Sequence, residues 1–201
     1  MIVVIGTANR HKILEIRRIL GDLAAGWLDL NDFPGAPEPA ESGTTFEENA
    51  RIKAEAYSRF TGRPALADDS GLEVDALGGR PGVHSARFAG PEQDAGRNID
   101  RLLEELEGTP EAARTARFVC AIALVDGGRL VARARGTCAG AILRARRGAG
   151  GFGYDPVFLV PDCGRTFAEL PPEEKDRLSH RGGALEELAA AISSPGRAPR
   201  R

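Results

Sequence analysis

Phe118 to Val125 is a strongly apolar run, Asp126-Gly127-Gly128 turns the chain, and from Leu130 to Cys138 Arg133 and Arg135 alternate with small apolar residues. A short glycine turn between two such runs joins neighbouring antiparallel strands. The chain therefore has to contain a hairpin, and any sheet that also holds crossover-connected strands must be mixed. Such strands are predicted at the start of the chain. Ile2 to Ile5 is continuously apolar and β-branched, as expected of a strand buried on both faces, and it leads through Gly6-Thr7-Ala8-Asn9 into apolar residues at Ile13, Leu14, Ile16, Ile19 and Leu20, which is helical spacing. A strand-turn-helix opening combined with a hairpin predicts an α/β fold on a mixed sheet, without internal repeats.

The remaining elements follow the same logic. Trp27 to Leu30 is predicted as a second short strand, and the Pro- and Gly-rich stretch Asn31 to Gly43 as a loop. Thr45-Phe46-Glu47-Glu48 is a capping box opening a helix that runs to about Phe60 and stops at Gly62-Arg63-Pro64. Ala65-Leu66-Ala67 is predicted as a brief buried strand ending at Asp68-Asp69-Ser70-Gly71. Further on come turn chemistry at Gly78 to Gly82, a helix from Asp94 to Glu107, a glycine-rich loop from Gly148 to Gly153, a strand at Val157 to Val160 and a helix from Gly183 to Ile192. Residues 1–193 are expected to form one domain, and Ser194 to Arg201 a disordered tail.

Charge and cysteine content narrow the function. Of 201 residues, 27 are Lys or Arg and 29 are Asp or Glu, so no global field draws the chain to nucleic acid or to an anionic membrane. No apolar stretch approaches membrane-spanning length, and the first six residues are too short for a signal peptide, so a cytoplasmic protein is expected. Cys120, Cys138 and Cys163 are odd in number and lack paired histidines, which supports neither a disulfide framework nor a zinc site.

Among the 27 cationic residues only Lys12, Lys53 and Lys175 are lysines. A compact ammonium and a planar guanidinium fork are not interchangeable, and phosphate clefts are one place where the difference matters. Gly6 to Lys12 sits between strand and helix, where backbone amides and the helix dipole favour an anion. It is close to a P-loop, but His11 replaces the second glycine and Ile13 the hydroxyl residue; the alternative is an ordinary helix start capped by Asn9. Asp68-Asp69-Ser70 offers paired carboxylates beside a hydroxyl, a set suited to magnesium and to activating water, or else a solvated turn. Glu41 is an available further ligand, with Glu38 as a substitute. Phe152-Gly153-Tyr154-Asp155-Pro156 gives a planar ligand an aromatic face at a glycine-permitted approach, or a hairpin corner with core aromatics. Lys175 and Ser179-His180-Arg181 supply donors for a base edge, or a helix cap at Ser179. His84 is read as structural, and no Ser-His-Asp or Cys-His arrangement supports covalent catalysis.

Taken in order, Thr7-Ala8-Asn9-Arg10-His11-Lys12 with Glu15, Thr45 to Ala50 with Lys53-Ala54, Ala67 to Leu72 through Gly78-Gly79, Pro81-Gly82 and Ser85-Ala86-Arg87, then Phe152 to Pro156, and Lys175 with Ser179-His180-Arg181 resemble the inosine triphosphate pyrophosphatase family. The match extends from Ile2 to about Leu188. The resemblance implies two α/β lobes about a long mixed sheet flanked by helices, an active cleft between the lobes, and a homodimer. It also implies magnesium-dependent hydrolysis of ITP, dITP and XTP between the α and β phosphates, removing non-standard purine nucleotides from the pool. Carried over by position, Thr7, Ala8, Asn9, Arg10, His11, Lys12 and Lys53 would hold the triphosphate, Asp69 would act as general base, and Glu41 with Asp69 would place magnesium. Ser70 would contact substrate, Phe152, Gly153, Tyr154 and Asp155 would stack on and flank the base, and Lys175, His180 and Arg181 would read its 6-oxo group. Ala8 and Ala40 depart from the family pattern, the latter where relatives often carry a second acid.

Selectivity follows from donors. Hypoxanthine and xanthine present an acceptor at position 6 and adenine an amino group, so a pocket of His and Arg donors disfavours ATP; each unpaired buried donor costs about 1–3 kcal/mol. Two other readings remain: a pyrophosphatase of similar fold directed at pyrimidine or modified nucleotides, and a nucleotide sensor that needs no activated water.

Overall fold

The first strand, β1 (Ile2–Ile5), buries its last three residues and leaves the sheet at Gly6. A Cβ on Gly6 would lie 2.6 Å from the Tyr57 ring, so only glycine lets the chain turn there. The helix α1 (Arg10–Leu20) starts at Asn9, whose side-chain oxygen accepts the His11 and Lys12 amides, and buries Ile13, Ile16 and Leu20. Leu14, counted with the apolar stripe, faces solvent at 48% exposure, and Glu15 takes the inward position instead.

β2 (Gly26–Asp29) is followed by the long loop and by α2 (Phe46–Thr61), with the Thr45–Glu48 capping box at its start and left-handed Gly62 at its end, as the sequence predicts. β3 (Ala65–Val74) is much longer than expected. It does not stop at Asp68 but carries both aspartates and Ser70 through its middle. The turn propensity of Asp-Asp-Ser-Gly is overridden because both buried carboxylates meet cations, described below, instead of water.

α3 (Ala95–Glu105) is capped by Asp94. β4 (Thr115–Asp126) and β5 (Arg129–Ile142) are joined by Gly127 and Gly128, both at positive φ, which makes the expected hairpin. β6 (Phe158–Val160), β7 (Arg165–Thr166), α4 (Pro172–Leu178) and α5 (His180–Ser193) complete the chain. α4 is not foreseen in the sequence, and α5 begins at His180 rather than Gly183.

This computed structural model describes residues 1–193; the tail expected at 194–201 lies outside them. Among the described residues seven strands form one mixed sheet in the order β2-β1-β3-β4-β5-β6-β7, with β1 parallel to β2 and β3 and with β5, β6 and β7 antiparallel in turn. No helix among them is long and apolar enough to cross a membrane.

The chain divides into two compact units. Unit 1 comprises Met1–Asp69, Cys120–Gly136 and, among the described residues, 181–193; unit 2 comprises Ser70–Val119 and Thr137–His180. Each has its own core. In unit 1, Val3, Ile5, Leu66, Ile122 and Leu124 of the strands pack with Ile16 of α1 and Leu185 and Leu188 of α5. Tyr57 of α2 packs with Val4 and Ala65. In unit 2, Leu72, Leu102, Leu106, Phe118, Phe158 and Phe167 form the centre.

Candidate active site

In unit 1 the site is built on strand alternation. Neighbouring residues of a strand point to opposite faces, so Asp68 and Asp69 are sent to opposite sides of β3. Both are buried, at 2% and 7% exposure.

Asp68 meets α1 and α5. Its Oδ2 accepts Lys12 Nζ at 2.9 Å and Arg181 Nη2 at 3.2 Å, while Arg181 Nη1 bonds Glu15 Oε2 at 2.5 Å. Cys120 Sγ lies 3.9 Å from the same Oδ2. Burial opposes ionisation of Asp68, but the Lys12 ammonium and then the Arg181 guanidinium outweigh it and hold the carboxyl well below the usual carboxylate range. Burial, with Asp68 adding to it, pushes the Cys120 thiol up to about 12, so this cysteine is a neutral, inert neighbour.

Asp69 meets α2. Lys53 Nζ bonds Asp69 Oδ1 at 2.7 Å and Glu41 Oε1 at 2.9 Å, so one ammonium is shared by two carboxylates. The side-chain amide of Asn49 donates to Asp69 Oδ2 at 3.2 Å. Here burial prevails: it pushes Asp69 above its ordinary value, Lys53 pulls the other way, and Glu41 adds to the rise. Lys53 itself is held in the charged form, because Asp69, Asp68 and Glu41 overcome the cost of burying it. Two adjacent aspartates thus have protonation equilibria driven in opposite directions, the arrangement that separates acid-base roles in catalytic sites.

The loop from Thr7 to His11 lies on the surface of unit 1, with Ala8, Asn9, Arg10 and His11 exposed. Thr7 Oγ1 accepts the Asn9 amide at 3.1 Å, and Asn9 Oδ1 accepts the His11 amide at 3.0 Å, so this loop is pre-shaped by its own side chains. Of the two loop glutamates, Glu41 is the one bonded to Lys53; Glu38 contributes to the field at Tyr57.

In unit 2 the group is centred on Asp155, 3% exposed. Its Oδ2 accepts Lys175 Nζ at 2.7 Å and the Phe152 amide at 2.8 Å. The same ammonium stands 4.6 Å from the centre of the half-buried Phe152 ring. Gly151, at positive φ, allows this, since a side chain there would run into the Asp155 carboxylate. His180, 5% exposed, stacks on Phe118 at 4.7 Å and 9°. Tyr154 is buried and gives its hydroxyl to the Ser85 carbonyl at 2.9 Å, which makes it a core strut. Gly153 is at positive φ within this loop, and Ser70 is half-buried on β3 directly after Asp69.

The structure therefore gathers Lys12, Lys53, Glu41, Asp69 and Arg181 in unit 1, and Phe152, Asp155 and Lys175 in unit 2. Arg181, expected at the base, has its guanidinium bonded to Asp68 and Glu15. Glu15 and Asn49 were not given roles from sequence. The signal for Glu15 was an acid on the inward face of an amphipathic helix; for Asn49 it was a polar side chain at a buried position of α2. Among the described residues no three His, Cys, Asp or Glu side chains gather as a metal-ligand set, and all three cysteines are free.

An open mixed sheet built around buried ammonium-carboxylate groups defines the class of α/β protein to which this chain belongs. The Ham1 family model matches residues 3–191, and the chain is a member of the Ham1 family. It is 55% identical over 186 residues to the dITP/XTP pyrophosphatase of Geobacillus kaustophilus (strain HTA426), covering 92% of this chain and 91% of that protein. It is 50% identical over 193 residues to the protein of the same name in Desulforamulus reducens, covering 96% of each. Among solved structures, a HAM1 protein from Coxiella burnetii aligns with TM-score 0.87 and 42% identity, covering 96% of this chain and 98% of that one.

Proposed function

We propose that this chain is a dITP/XTP pyrophosphatase that hydrolyses dITP, ITP and XTP between the α and β phosphates, giving the nucleoside monophosphate and pyrophosphate. The observation that supports this most is the split of Asp68 and Asp69 across β3. Asp68 stays ionised and fixes Lys12 and Arg181. Asp69 has a raised affinity for a proton and sits against the Lys53–Glu41 pair, as a general base for water requires. In this reading Asp69 takes the proton of the attacking water as the α–β anhydride bond breaks.

Magnesium is the ion this reading implies, and the residues fit it. Glu41 and Asp69 already share one cation, the Lys53 ammonium, through oxygens 2.9 and 2.7 Å away. Magnesium characteristically takes one or two carboxylates and completes its shell with water and substrate phosphate, so a third amino-acid ligand is not needed. Glu41 and Asp69 would hold it, and when bound it neutralises charge on the triphosphate.

Lys12, with Thr7, Ala8, Asn9, Arg10 and His11 at the positive end of α1, supplies the contacts for the triphosphate. Ser70 adds a hydroxyl. Phe152, with Gly153 and Asp155, supplies the aromatic face for the base, and Lys175 and His180 the donors toward its 6-oxo group. Arg181 acts from beneath, holding Asp68 and Glu15. The molecule works as a homodimer, which sedimentation would show as twice the mass of one chain.

The test is pyrophosphate release from dITP, ITP, XTP, GTP, ATP and dCTP with magnesium. Turnover of the first three well above the rest is expected. Release of orthophosphate instead, or equal use of ATP, would overturn the assignment.

A further inference from the structure

Asn49 belongs to none of the roles above, yet it is fully buried on the first turn of α2 and bonds both Asp69 and the loop that carries Glu41. Its Oδ1 accepts the Gly43 amide at 2.9 Å, and its Nδ2 donates to Asp69 Oδ2 at 3.2 Å. We propose that Asn49 is a positioning residue that fixes the Asp69 carboxylate and the Glu41-bearing loop relative to each other, so that the two acids present one preset cation site. The inference rests on the assignment of Glu41 and Asp69 made above.

The chemistry requires an amide at this position. A carboxamide carries one acceptor and one donor end, and the Gly43 amide claims the acceptor, which leaves the NH2 end facing Asp69. An aspartate would satisfy Gly43 but present a second negative oxygen to Asp69. An isosteric leucine would satisfy neither. Glutamine, one methylene longer, would have to displace neighbours in a position with no exposed surface.

The loop is shaped around the same contact. The Gly43 amide goes to Asn49, and the Thr44 and Thr45 amides both go to Glu48 Oε2, at 2.7 and 3.3 Å. Three successive amides just after Glu41 are thus pinned to the first turn of α2. Gly43 is where the approach is closest: a Cβ there would lie 2.6 Å from Glu48 Cβ and 2.7 Å from Asn49 Oδ1. Asp69 meanwhile receives Lys53 on one oxygen and Asn49 on the other, so its carboxylate plane is fixed from two directions. Groups that orient ligating carboxylates are typically worth 10- to 100-fold in metal affinity or turnover.

The test compares the full-length wild type with Asn49→Leu and Asn49→Asp, each checked for folding by thermal melting. Manganese binding in the presence of pyrophosphate, read by electron paramagnetic resonance, and steady-state kinetics on dITP are the two measurements. Asn49→Leu is expected to bind manganese about 10- to 100-fold more weakly and to lose kcat by a similar factor, with KM for dITP within about threefold of wild type. Asn49→Asp, which keeps the Gly43 acceptor and so the loop, is expected to lose kcat as well. A folded Asn49→Leu with wild-type manganese affinity and kcat would overturn the proposal. So would Asn49→Asp with wild-type kcat, since the bond to Gly43 would then be the whole role of Asn49. If Asn49→Leu does not fold, Asn49→Asp decides. If the wild type releases no pyrophosphate from dITP, the functional reading fails, while manganese binding by Asn49→Leu still decides the role of Asn49.

Discussion

Lys53 in unit 1 is half-buried and Lys175 in unit 2 is buried; both are bonded to an aspartate at 2.7 Å, but their surroundings differ. Lys53 is divided between two carboxylates, with Asp68 contributing to its field. Lys175 has one carboxylate and two aromatic rings, Phe152 at 4.6 Å and Phe167 at 5.8 Å. The first setting is rich in oxygen and built for hard charge: a cation, a phosphate, a proton on water. The second combines a charge with flat apolar faces, which suits a planar heterocycle with polar edges. The same residue type is thus given a different electrostatic setting by its neighbours in each unit.

Two buried arginines break that comparison most forcefully. Arg181 lies against Asp68 and Glu15, whereas Arg114, also 2% exposed, donates to the carbonyls of Ile142, Leu106 and Leu143. Arg181→Ala strips a buried carboxylate pair of its partner and is expected to cost about 3–5 kcal/mol of stability, with kcat/KM falling for dITP and dATP together. Arg114→Ala removes a donor from three carbonyls, of which Leu106 keeps the Thr109 amide, at about 1–3 kcal/mol for each one left unsatisfied, while the folded fraction keeps its kcat/KM. Denaturant unfolding and kinetics on both nucleotides check the pair. A loss for Arg181→Ala confined to dITP would return Arg181 to the base, where the sequence had placed it.

The pairing of Arg181 with Asp68 and Glu15 shows what the sequence could and could not carry. Local signals held: the Thr45–Glu48 capping box, the Gly127-Gly128 hairpin turn, the Asn9 helix start and the glycines before Asp155 are each decided within a few residues. The partners of Arg181 are different in kind, since Asp68 is 113 positions away and Glu15 is 166, and no short pattern records such a pairing. β3 failed for the same reason, because Asp-Asp-Ser-Gly reads as a turn until the cations that neutralise it are placed. The three lysines, by contrast, were legible as a group from their rarity, and each is bonded to an acid of a candidate segment.

A smaller effect sharpens the comparison of the two lysines. Lys53→Arg puts a planar fork where a point charge serves two carboxylates, and about a tenfold loss in kcat/KM for dITP is expected. Lys175→Arg is expected to lose less for an equally charged but poorer fit, because guanidinium also stacks on aromatic rings. Equal losses at the two positions would mean that their surroundings do not set their roles.

The smallest expected effect is on stability against pH, and its sign differs between the two aspartates. Asp68, with its folded-state pKa lowered, contributes stability that is present above the ordinary carboxylate pKa and lost as pH falls. Asp69, with its folded-state pKa raised, contributes stability below its unfolded value that is lost as pH rises through the folded one. Melting curves across acidic to neutral pH should therefore show Asp68→Asn flattening the acid limb and Asp69→Asn steepening it. Shifts of the same sign in both variants would contradict the split.

The split is tested most directly by the pH profile of pyrophosphate release from dITP, compared between wild type and Asp69→Asn. The wild-type kcat/KM is expected to fall at acid pH with a midpoint above the ordinary carboxylate range, because the base is protonated there. Asp69→Asn should remain folded, lose about 10²–10⁴-fold in kcat, and lack that acid limb. A variant that kept more than about a tenth of the wild-type kcat together with the same acid limb would show that Asp69 is not the base.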